Sequence, residues 1–187
     1  MNKNVLRNGE LIAEASAKRE SRLKESKRQI IIFVVSSLIF LFIFKFIFII
    51  GVVPTESMVP TIQKNTVVIS NSLAYRNKPI QRGDIINFYF DGNLLIKRVI
   101  AIGGDEVEIK NGNVYVNGEI TEVYNDALVD YTLYECNIVI PEDCCYVLGD
   151  NRGNSLDSRE YGCIPYKDVK AKALININFG KLKIKKL

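Results

Sequence analysis

The segment V-P-T-E-S-M-V-P-T-I, residues 53–62, places a serine between two prolines directly after a long apolar run. Ser57 is either an ordinary turn serine or a nucleophile, and a serine becomes nucleophilic only when a neighbouring group takes its proton. The chain contains no histidine, which excludes a Ser-His-Asp triad, a Cys-His pair and most zinc sites. The base would therefore be a carboxylate, a lysine with a lowered pKa or a less usual group.

Lys97 is the best candidate for that base. It lies in the strongly apolar segment L-L-I-K-R-V-I-A-I, residues 94–102. Burial disfavours the charged form of a lysine and would lower its pKa from about 10.4 towards about 7 to 8, where it can accept a proton. The alternative is a lysine on an edge strand that faces solvent, and the spacing alone leaves both interpretations open.

A third polar segment, G-D-N-R-G-N-S-L-D-S-R, covers residues 149–159. It is rich in turn-forming residues and also holds two carboxylates, two arginines and two serines, a composition shared with many surface loops. However, it follows a buried-looking strand, and its alternating charges allow local ion pairs. Such a loop can be rigid and can present a hydroxyl to a neighbouring group.

The elements that must position these residues are mostly strands. Beyond Ile62 the apolar residues follow a period of two, Asn111-Gly112-Asn113 and Asn117-Gly118 are turn signals, and no amphipathic helix of ten residues is present. We therefore predict an all-β or nearly all-β domain, with residues 111–142 forming a small, less patterned inserted lobe. The predicted strands are Thr66–Ser70, Ile85–Phe90, Leu94–Ile102, Val107–Lys110, Val114–Val116, Cys145–Leu148 and Ala173–Phe179.

An apolar run from Gln29 to Val53 is long enough to cross a membrane as one helix. Lys45 lies near its end and can extend to the interface. A cleavable signal peptide would be shorter and would end in small residues. The basic cluster before the run predicts a cytoplasmic N-terminus. We therefore expect a polar cytoplasmic segment at 1–28, a transmembrane helix at 29–53 and an extracytoplasmic domain at 54–187 in the plasma membrane.

The charge pattern points to membrane lipid as a partner. The net charge is +4, and the basic residues cluster at both ends of the chain, with no zinc-finger spacing and no basic-aromatic pattern for nucleic acid.

The four cysteines, Cys136, Cys144, Cys145 and Cys163, include no C-x-x-C motif. Buried free thiols, one or more disulfides, and reactive or metal-binding roles all remain open.

Four motifs in order resemble the type I bacterial signal peptidases: P-T-E-S-M-V-P-T-I, R-G-D-I-I-N-F, L-I-K-R-V-I-A-I-G-G-D and G-D-N-R-G-N-S-L-D-S-R. The last is the most specific, and the match runs from the apolar segment to about Pro165. The resemblance implies a β-barrel or β-sandwich catalytic domain with a small inserted lobe. It also implies a Ser-Lys endopeptidase that removes signal peptides from exported pre-proteins after A-x-A-like sites, with no metal or cofactor.

The resemblance assigns roles to particular positions. Ser57 matches the nucleophile, Lys97 the general base and Ser155 the serine that hydrogen-bonds and orients the lysine. Thr55 matches an oxyanion-hole hydroxyl, although here a threonine, and Met58 a methionine near the substrate groove. A further set of charged residues matches positions that brace the site, with Arg98 expected to pair with Asp150. These residues are Arg98, Asp150, Arg152, Asp157 and Arg159.

Two other functions remain open. One is a specialised membrane-anchored Ser-Lys processing protease with a dedicated substrate; a self-cleaving repressor, which also uses Ser-Lys chemistry, would lack the apolar segment. The other is a non-catalytic, membrane-anchored binding module, which a missing serine or lysine would favour, although both are present. Glu56 stands beside the nucleophile where many members have glycine.

Overall fold

The computed structural model describes residues 3–110, 113–121 and 135–187, without the side chains of residues 3–18 and 21. The chain divides into two compact units, residues 1–46 and residues 47–187. The first unit is helical, whereas the second contains the strands and every residue predicted to take part in chemistry.

The first helix, α1, spans Lys3–Ile47. Its stretch from Arg22 to Ile47 is long and apolar enough to cross a membrane, and none of its apolar window is buried within the structure. The helix was predicted to continue to Val53, and this is wrong: Phe48–Val53 form strand β1. The apolar segment F-I-I-G-V-V could form either a helix or a strand. Here its backbone N–H and C=O groups pair with those of the neighbouring strand, residues 66–71.

The main sheet is antiparallel and has the strand order β1-β2-β11-β3-β4-β9-β10, with β12 paired to β11. The alternating apolar pattern places one face of β2 in the core, as expected from its period of two. The remaining strands of this sheet are β2 Thr66–Asn71, β3 Ile85–Phe90, β4 Asn93–Ile102, β9 Cys144–Leu148, β10 Ile164–Pro165, β11 Val169–Asn178 and β12 Lys183–Lys186. A short helix, α2, spans Ser158–Tyr161.

A second antiparallel sheet has the order β7-β6-β5-β8. It begins before the predicted inserted lobe at 111–142, because the first of its strands precedes residue 111; residues 111–112 and 122–134 lie outside the described residues. The predicted turn at Asn117-Gly118 is confirmed, with positive φ at both positions, as a tight hairpin requires. The strands are β5 Glu106–Lys110, β6 Asn113–Val116, β7 Glu119–Ile120 and β8 Cys136–Val139.

Within the described part of the chain, β1 and the first half of β4 each have an open edge. β1 lies at the end of the main sheet, next to β2. β4 pairs with β3 along its length, whereas its pairing with β9 begins at Arg98, so no described strand flanks the other side of Leu94–Lys97. The buried side chains of Val53, Met58 and Ile62 belong to the core cluster next to these edges. The observed architecture confirms the predicted mostly β fold with one N-terminal apolar helix.

Candidate active site

Ser57 and Lys97 are brought together from elements forty residues apart. The Lys97 Nζ lies 2.8 Å from the Ser57 Oγ. Ser57 follows β1 in a turn, whereas Lys97 lies on β4 opposite Ile86 of β3. Both side chains are buried, with Ser57 5% and Lys97 4% exposed, so the alternative of a solvent-facing lysine is wrong. A base at hydrogen-bonding distance from a serine hydroxyl is the arrangement that nucleophilic catalysis requires.

The surroundings of Lys97 favour its neutral form. Burial lowers the pKa of Lys97 from its ordinary value of 10.5 to about 8, although the negative charges of Asp157 and Asp150 act in the opposite direction. Desolvation dominates because the ammonium has lost water without gaining a carboxylate in direct contact. A substantial fraction of the lysine is therefore unprotonated at mildly alkaline pH, and this form can accept the serine proton.

The pH dependence of activity should follow this pKa. We expect kcat/KM to rise with pH through a limb with its midpoint near pH 8, as Lys97 loses its proton. The stability of the protein should also rise with pH. The pKa of Lys97 in the folded protein lies below the ordinary 10.5, so the free energy of unfolding increases as the pH rises from about 8 towards 10.5. Initial rates across a pH series measure the limb. A rise only near pH 10, where an ordinary lysine titrates, would contradict the assignment.

Thr55 and Met58 flank Ser57 in different environments. The Thr55 Oγ1 lies 3.2 Å from the Ser57 Oγ, so a second hydroxyl lies beside that oxygen. The Met58 side chain is 0% exposed and belongs to the core cluster with Val53 and Ile62. Met58 therefore packs into the core and anchors the turn there. It does not line the surface cavity next to Ser57 that is described below.

The segment 149–159 packs directly against the turn that holds Ser57. The Asn151 backbone N–H donates to the Ser57 carbonyl at 3.0 Å, and its side-chain amide donates to the Glu56 carbonyl at 3.1 Å. A Cβ on Gly149 would lie 2.5 Å from the same Ser57 carbonyl, so only glycine permits this close approach. Sequence reasoning did not single out Asn151, although its place in the G-D-N-R motif could have drawn attention to it.

Ser155 lies close to this contact but does not bind Lys97. Its Oγ is buried and has no hydrogen-bond partner within the described part of the chain. A Cβ on Gly149 would lie 2.2 Å from this Oγ, which shows that Ser155 packs against the glycine. The predicted hydrogen bond between Ser155 and Lys97 is therefore not formed in this structure.

Arg98 and Asp150 form the predicted ion pair. The Arg98 Nε and Nη2 donate to the two carboxylate oxygens of Asp150 at 2.8 and 2.7 Å. Arg98 also donates to the Gly83 carbonyl at 2.9 Å. This two-point geometry fixes the planes of both groups. It joins β4, immediately after Lys97, to the start of the 149–159 segment.

Asp157 and Arg159 hold the other end of the segment. Asp157 is 0% exposed, and its carboxylate accepts from the Gly149 backbone N–H at 3.0 Å and from the Arg159 Nε at 2.8 Å. Arg159 also donates to the Arg152 carbonyl at 2.6 Å, and Arg152 donates to the Gly149 carbonyl at 3.1 Å. The five charged residues singled out from the sequence thus brace the loop, and none of the contacts described for them reaches the Ser57 Oγ.

A surface cavity of about 120 Å³ adjoins Ser57 and Lys97. It lies between β1 and the open part of β4, with a mainly apolar lining. The gap between these two strand edges suits an extended peptide, which can add to a sheet edge and place alternate side chains in pockets. The lining residues are Ile49, Gly51, Val52, Val53, Pro54, Thr55, Ser57, Val68, Ser70, Asn87, Leu94, Leu95, Ile96 and Lys97.

The lining of the cavity beside Ser57 and Lys97 includes no cysteine. All four thiols are free; Cys144 and Cys145 are buried, whereas Cys136 and Cys163 are partly exposed. Burial raises the pKa of Cys145 to about 12, so this thiol stays protonated. The sequence left free thiols, disulfides and reactive or metal-binding cysteines open, and in the structure the four cysteines are free thiols.

Sequence comparison identifies the protein family to which the chain belongs. A family model described as signal peptidase, peptidase S26, matches residues 26–177. The chain belongs to this peptidase family. The matched region includes the apolar part of α1, the turn that holds Ser57, β4 and the 149–159 segment.

Individual relatives in the signal peptidase family match about two thirds of the chain. The chain is 36% identical over 132 residues to a probable signal peptidase I-2 of Synechocystis, and the match covers 66% of this chain and 60% of that protein. It is 36% identical over 141 residues to a signal peptidase I of Bacillus caldolyticus, covering 68% and 78%. A crystal structure of a signal peptidase I from Enterococcus faecalis is 29% identical, covers 51% of this chain and 97% of that one, and has a TM-score of 0.45. The match thus spans less than two thirds of the Synechocystis protein.

Proposed function

We propose that this chain is a type I signal peptidase, a membrane-anchored serine endopeptidase that removes signal peptides from exported pre-proteins. The observation that carries the proposal is the buried Ser57–Lys97 pair, with 2.8 Å between Oγ and Nζ and a lysine pKa of about 8. Membership of the signal peptidase family supports signal peptides as the substrate class, because relatives of this chain are named signal peptidases.

In the proposed reaction, neutral Lys97 takes the proton of Ser57 while the serine Oγ attacks the scissile carbonyl. The Thr55 hydroxyl and the Ser57 backbone N–H stabilise the developing oxyanion; such a donor typically contributes about 3 kcal/mol to the transition state. Lys97 then gives its proton to the leaving amine. A water activated by the same lysine hydrolyses the acyl-enzyme, so that both the serine and the neutral lysine are regenerated.

The substrate binds as an extended segment between β1 and the open edge of Leu94–Lys97. Backbone hydrogen bonds to a strand edge provide affinity that does not depend on sequence, and side-chain pockets provide selection. Small residues at the first and third positions before the cut fit the narrow cavity next to Ser57 and Lys97. This arrangement supports cleavage after an A-x-A-like sequence.

The proposed location follows from α1. Its apolar half anchors the chain in the plasma membrane as a single pass, and membrane lipid surrounds it. The basic residues before the apolar run, from Lys18 to Arg28, keep the N-terminus in the cytoplasm. The peptidase domain then lies outside the cytoplasm, where the cleavage sites of exported pre-proteins emerge.

The test uses purified full-length protein in detergent and a pre-protein with an A-x-A site. We expect the wild type to release the signal peptide after the second alanine and the Ser57→Ala variant to release none. N-terminal sequencing of the product locates the cut. Equal cleavage by the Ser57→Ala variant would overturn the assignment of the nucleophile.

A dedicated-substrate processing protease is the second candidate. The Ser57–Lys97 pair would carry out the same chemistry in such a protease, which would differ from a general signal peptidase only in its range of substrates. A folded wild-type protein that acylates at Ser57 with an active-site reagent but leaves several unrelated pre-proteins uncut would favour this function. A protein that shows no acylation at all would favour the non-catalytic module.

A further inference from the structure

A second surface cavity, of about 280 Å³, is lined by residues of both sheets and of α2. It shares no lining residue with the cavity described above. Its lining includes Cys136 on β8, Tyr146 on β9, Arg159 in α2 and Gly162 directly after α2. Cys136 is partly exposed, so this cavity holds a thiol that a reagent in solution can reach.

Cys163 lies beside the same tyrosine. In the antiparallel pairing of β10 with β9, Ile164 is opposite Cys145. Continued by one residue, this register places Cys163 opposite Tyr146, and the side chains of opposed residues project to the same face of a sheet. Cys136 and Cys163 both pack against the core cluster that contains Tyr146. Two partly exposed thiols from distant parts of the chain therefore lie around one side chain.

These three groups also influence one another's ionisation. The pKa of Cys163 is raised by burial and, after it, by the charge of Cys136. Burial likewise raises the pKa of Tyr146, and the charge of Cys136 and a hydrogen bond with its side chain add to this effect. A like charge opposes ionisation in this way when the two groups are close to each other. The thiol of β8 and the thiol that follows α2 are thus neighbours.

Cys144 is a further neighbour of Cys163 but differs in its accessibility. Burial and the adjacent Asp143 raise the pKa of Cys144, and the charge of Cys163 adds to them. Cys144 and Cys145 are buried, and buried thiols react slowly because a reagent cannot approach them. The thiol that reacts first is therefore Cys136, and the partly exposed Cys163 is its partner.

We propose that Cys136 and Cys163 form a disulfide when the protein meets an oxidant that carries a disulfide bond. The Cys136 thiolate attacks one sulfur of the oxidant and expels the other as a thiolate, which leaves a mixed disulfide. The Cys163 thiolate then attacks the Cys136 Sγ and expels the second thiolate. The two cysteines lose two protons and two electrons in total, and the oxidant is reduced to two thiols.

This bridge goes beyond the peptidase function and bears on the stability of the domain. It closes a loop of about 27 residues, which contains β9 and the whole 149–159 segment. A disulfide stabilises a protein mainly by restricting the unfolded chain. The segment that holds the Ser57 carbonyl through Asn151 therefore becomes harder to unfold. The proposed location outside the cytoplasm suits this chemistry, because disulfides persist in oxidising compartments.

The test uses the full-length protein in detergent, reduced with dithiothreitol and then freed of it, with oxidised glutathione as the oxidant. We expect two of the four thiols to be lost, and a non-reduced protease digest to contain a peptide pair that links Cys136 to Cys163. The midpoint of thermal unfolding should rise by about 5 to 10 °C, as expected for a loop of this length. Dithiothreitol should reverse both changes.

Serine variants separate this pair from other pairings. Cys136→Ser and Cys163→Ser should each abolish the rise in unfolding temperature, whereas Cys144→Ser should keep it. A link between Cys144 and Cys163, glutathione left on Cys136 alone, or four thiols retained would each overturn the proposal. If a serine variant does not fold, the digest of the wild type decides by itself. None of these readouts depends on cleavage of a pre-protein, so a failure of the disulfide site and a failure of the peptidase function are distinguishable.

Discussion

Replacement of Lys97 by methionine should reduce kcat on a cleavable pre-protein by about 10³-fold or more, because the general base disappears while the shape of the side chain remains. Lys97 is buried, and its Nζ is 2.8 Å from the Ser57 Oγ. Methionine fills the same volume without a charge, so the fold should be retained. Since the pKa of Lys97 is lowered chiefly by burial, loss of the amine should not destabilise the protein.

The matched control is Lys110→Met. Lys110 is exposed at the end of β5 in the second sheet, so the same chemical change there should leave cleavage within about twofold of the wild type, as for most surface substitutions. Thermal unfolding of both variants measures whether the fold is intact. A Lys97→Met protein that is folded and cuts at more than about one tenth of the wild-type rate would exclude the lysine as the base.

Replacement of Asp157 by alanine should lower the free energy of unfolding by about 3 to 5 kcal/mol, the usual effect of removing one partner of a buried ion pair. Arg159 would keep its charge with its side chain only 6% exposed and without the carboxylate. The Gly149 N–H would also lose its acceptor. The segment that holds the Ser57 carbonyl through Asn151 would then loosen, and cleavage should decline with stability.

Asp143→Ala is the control for this prediction, because Asp143 is exposed and its removal should change stability by less than about 0.5 kcal/mol. Asp157→Asn separates charge from shape. The Asp157 charge raises the pKa of Lys97, so its loss should move the alkaline rise of activity to lower pH. Thermal unfolding and the pH series measure the two effects. An Asp157→Ala protein as stable as the wild type would show that the ion pair does not support the loop.

Many of the strands could be predicted from the sequence, because alternation in segments such as Val107–Lys110 reports a half-buried strand directly. β1 could not, since F-I-I-G-V-V continues the apolar run of the helix without a break in composition. The strands β8, β10 and β12 were missed for a different reason: they are short or lysine-rich, so their residues give little alternation to recognise.

The Ser57–Lys97 pair could be predicted because a lysine in an apolar strand is unusual and the motifs of the family locate both residues. The second contact predicted for the lysine, from Ser155, is not formed, since a motif gives the order of residues but not the rotamer of a hydroxyl. The roles of Asn151 and Asp157 in holding the turn depend on backbone atoms brought together by folding. No spacing in the sequence reports them.

The open edges of β1 and of Leu94–Lys97 also bear on solubility. An unpaired strand edge accepts any extended segment, including the same strand of a second copy. Proteins usually protect such edges with prolines, bulges or inward-pointing charges, but each of these would also block the extended peptide that we propose as the substrate. Resistance to aggregation and access for substrate therefore compete for the same backbone N–H and C=O groups. The chain limits this exposure by keeping the edges short, with only six residues in β1.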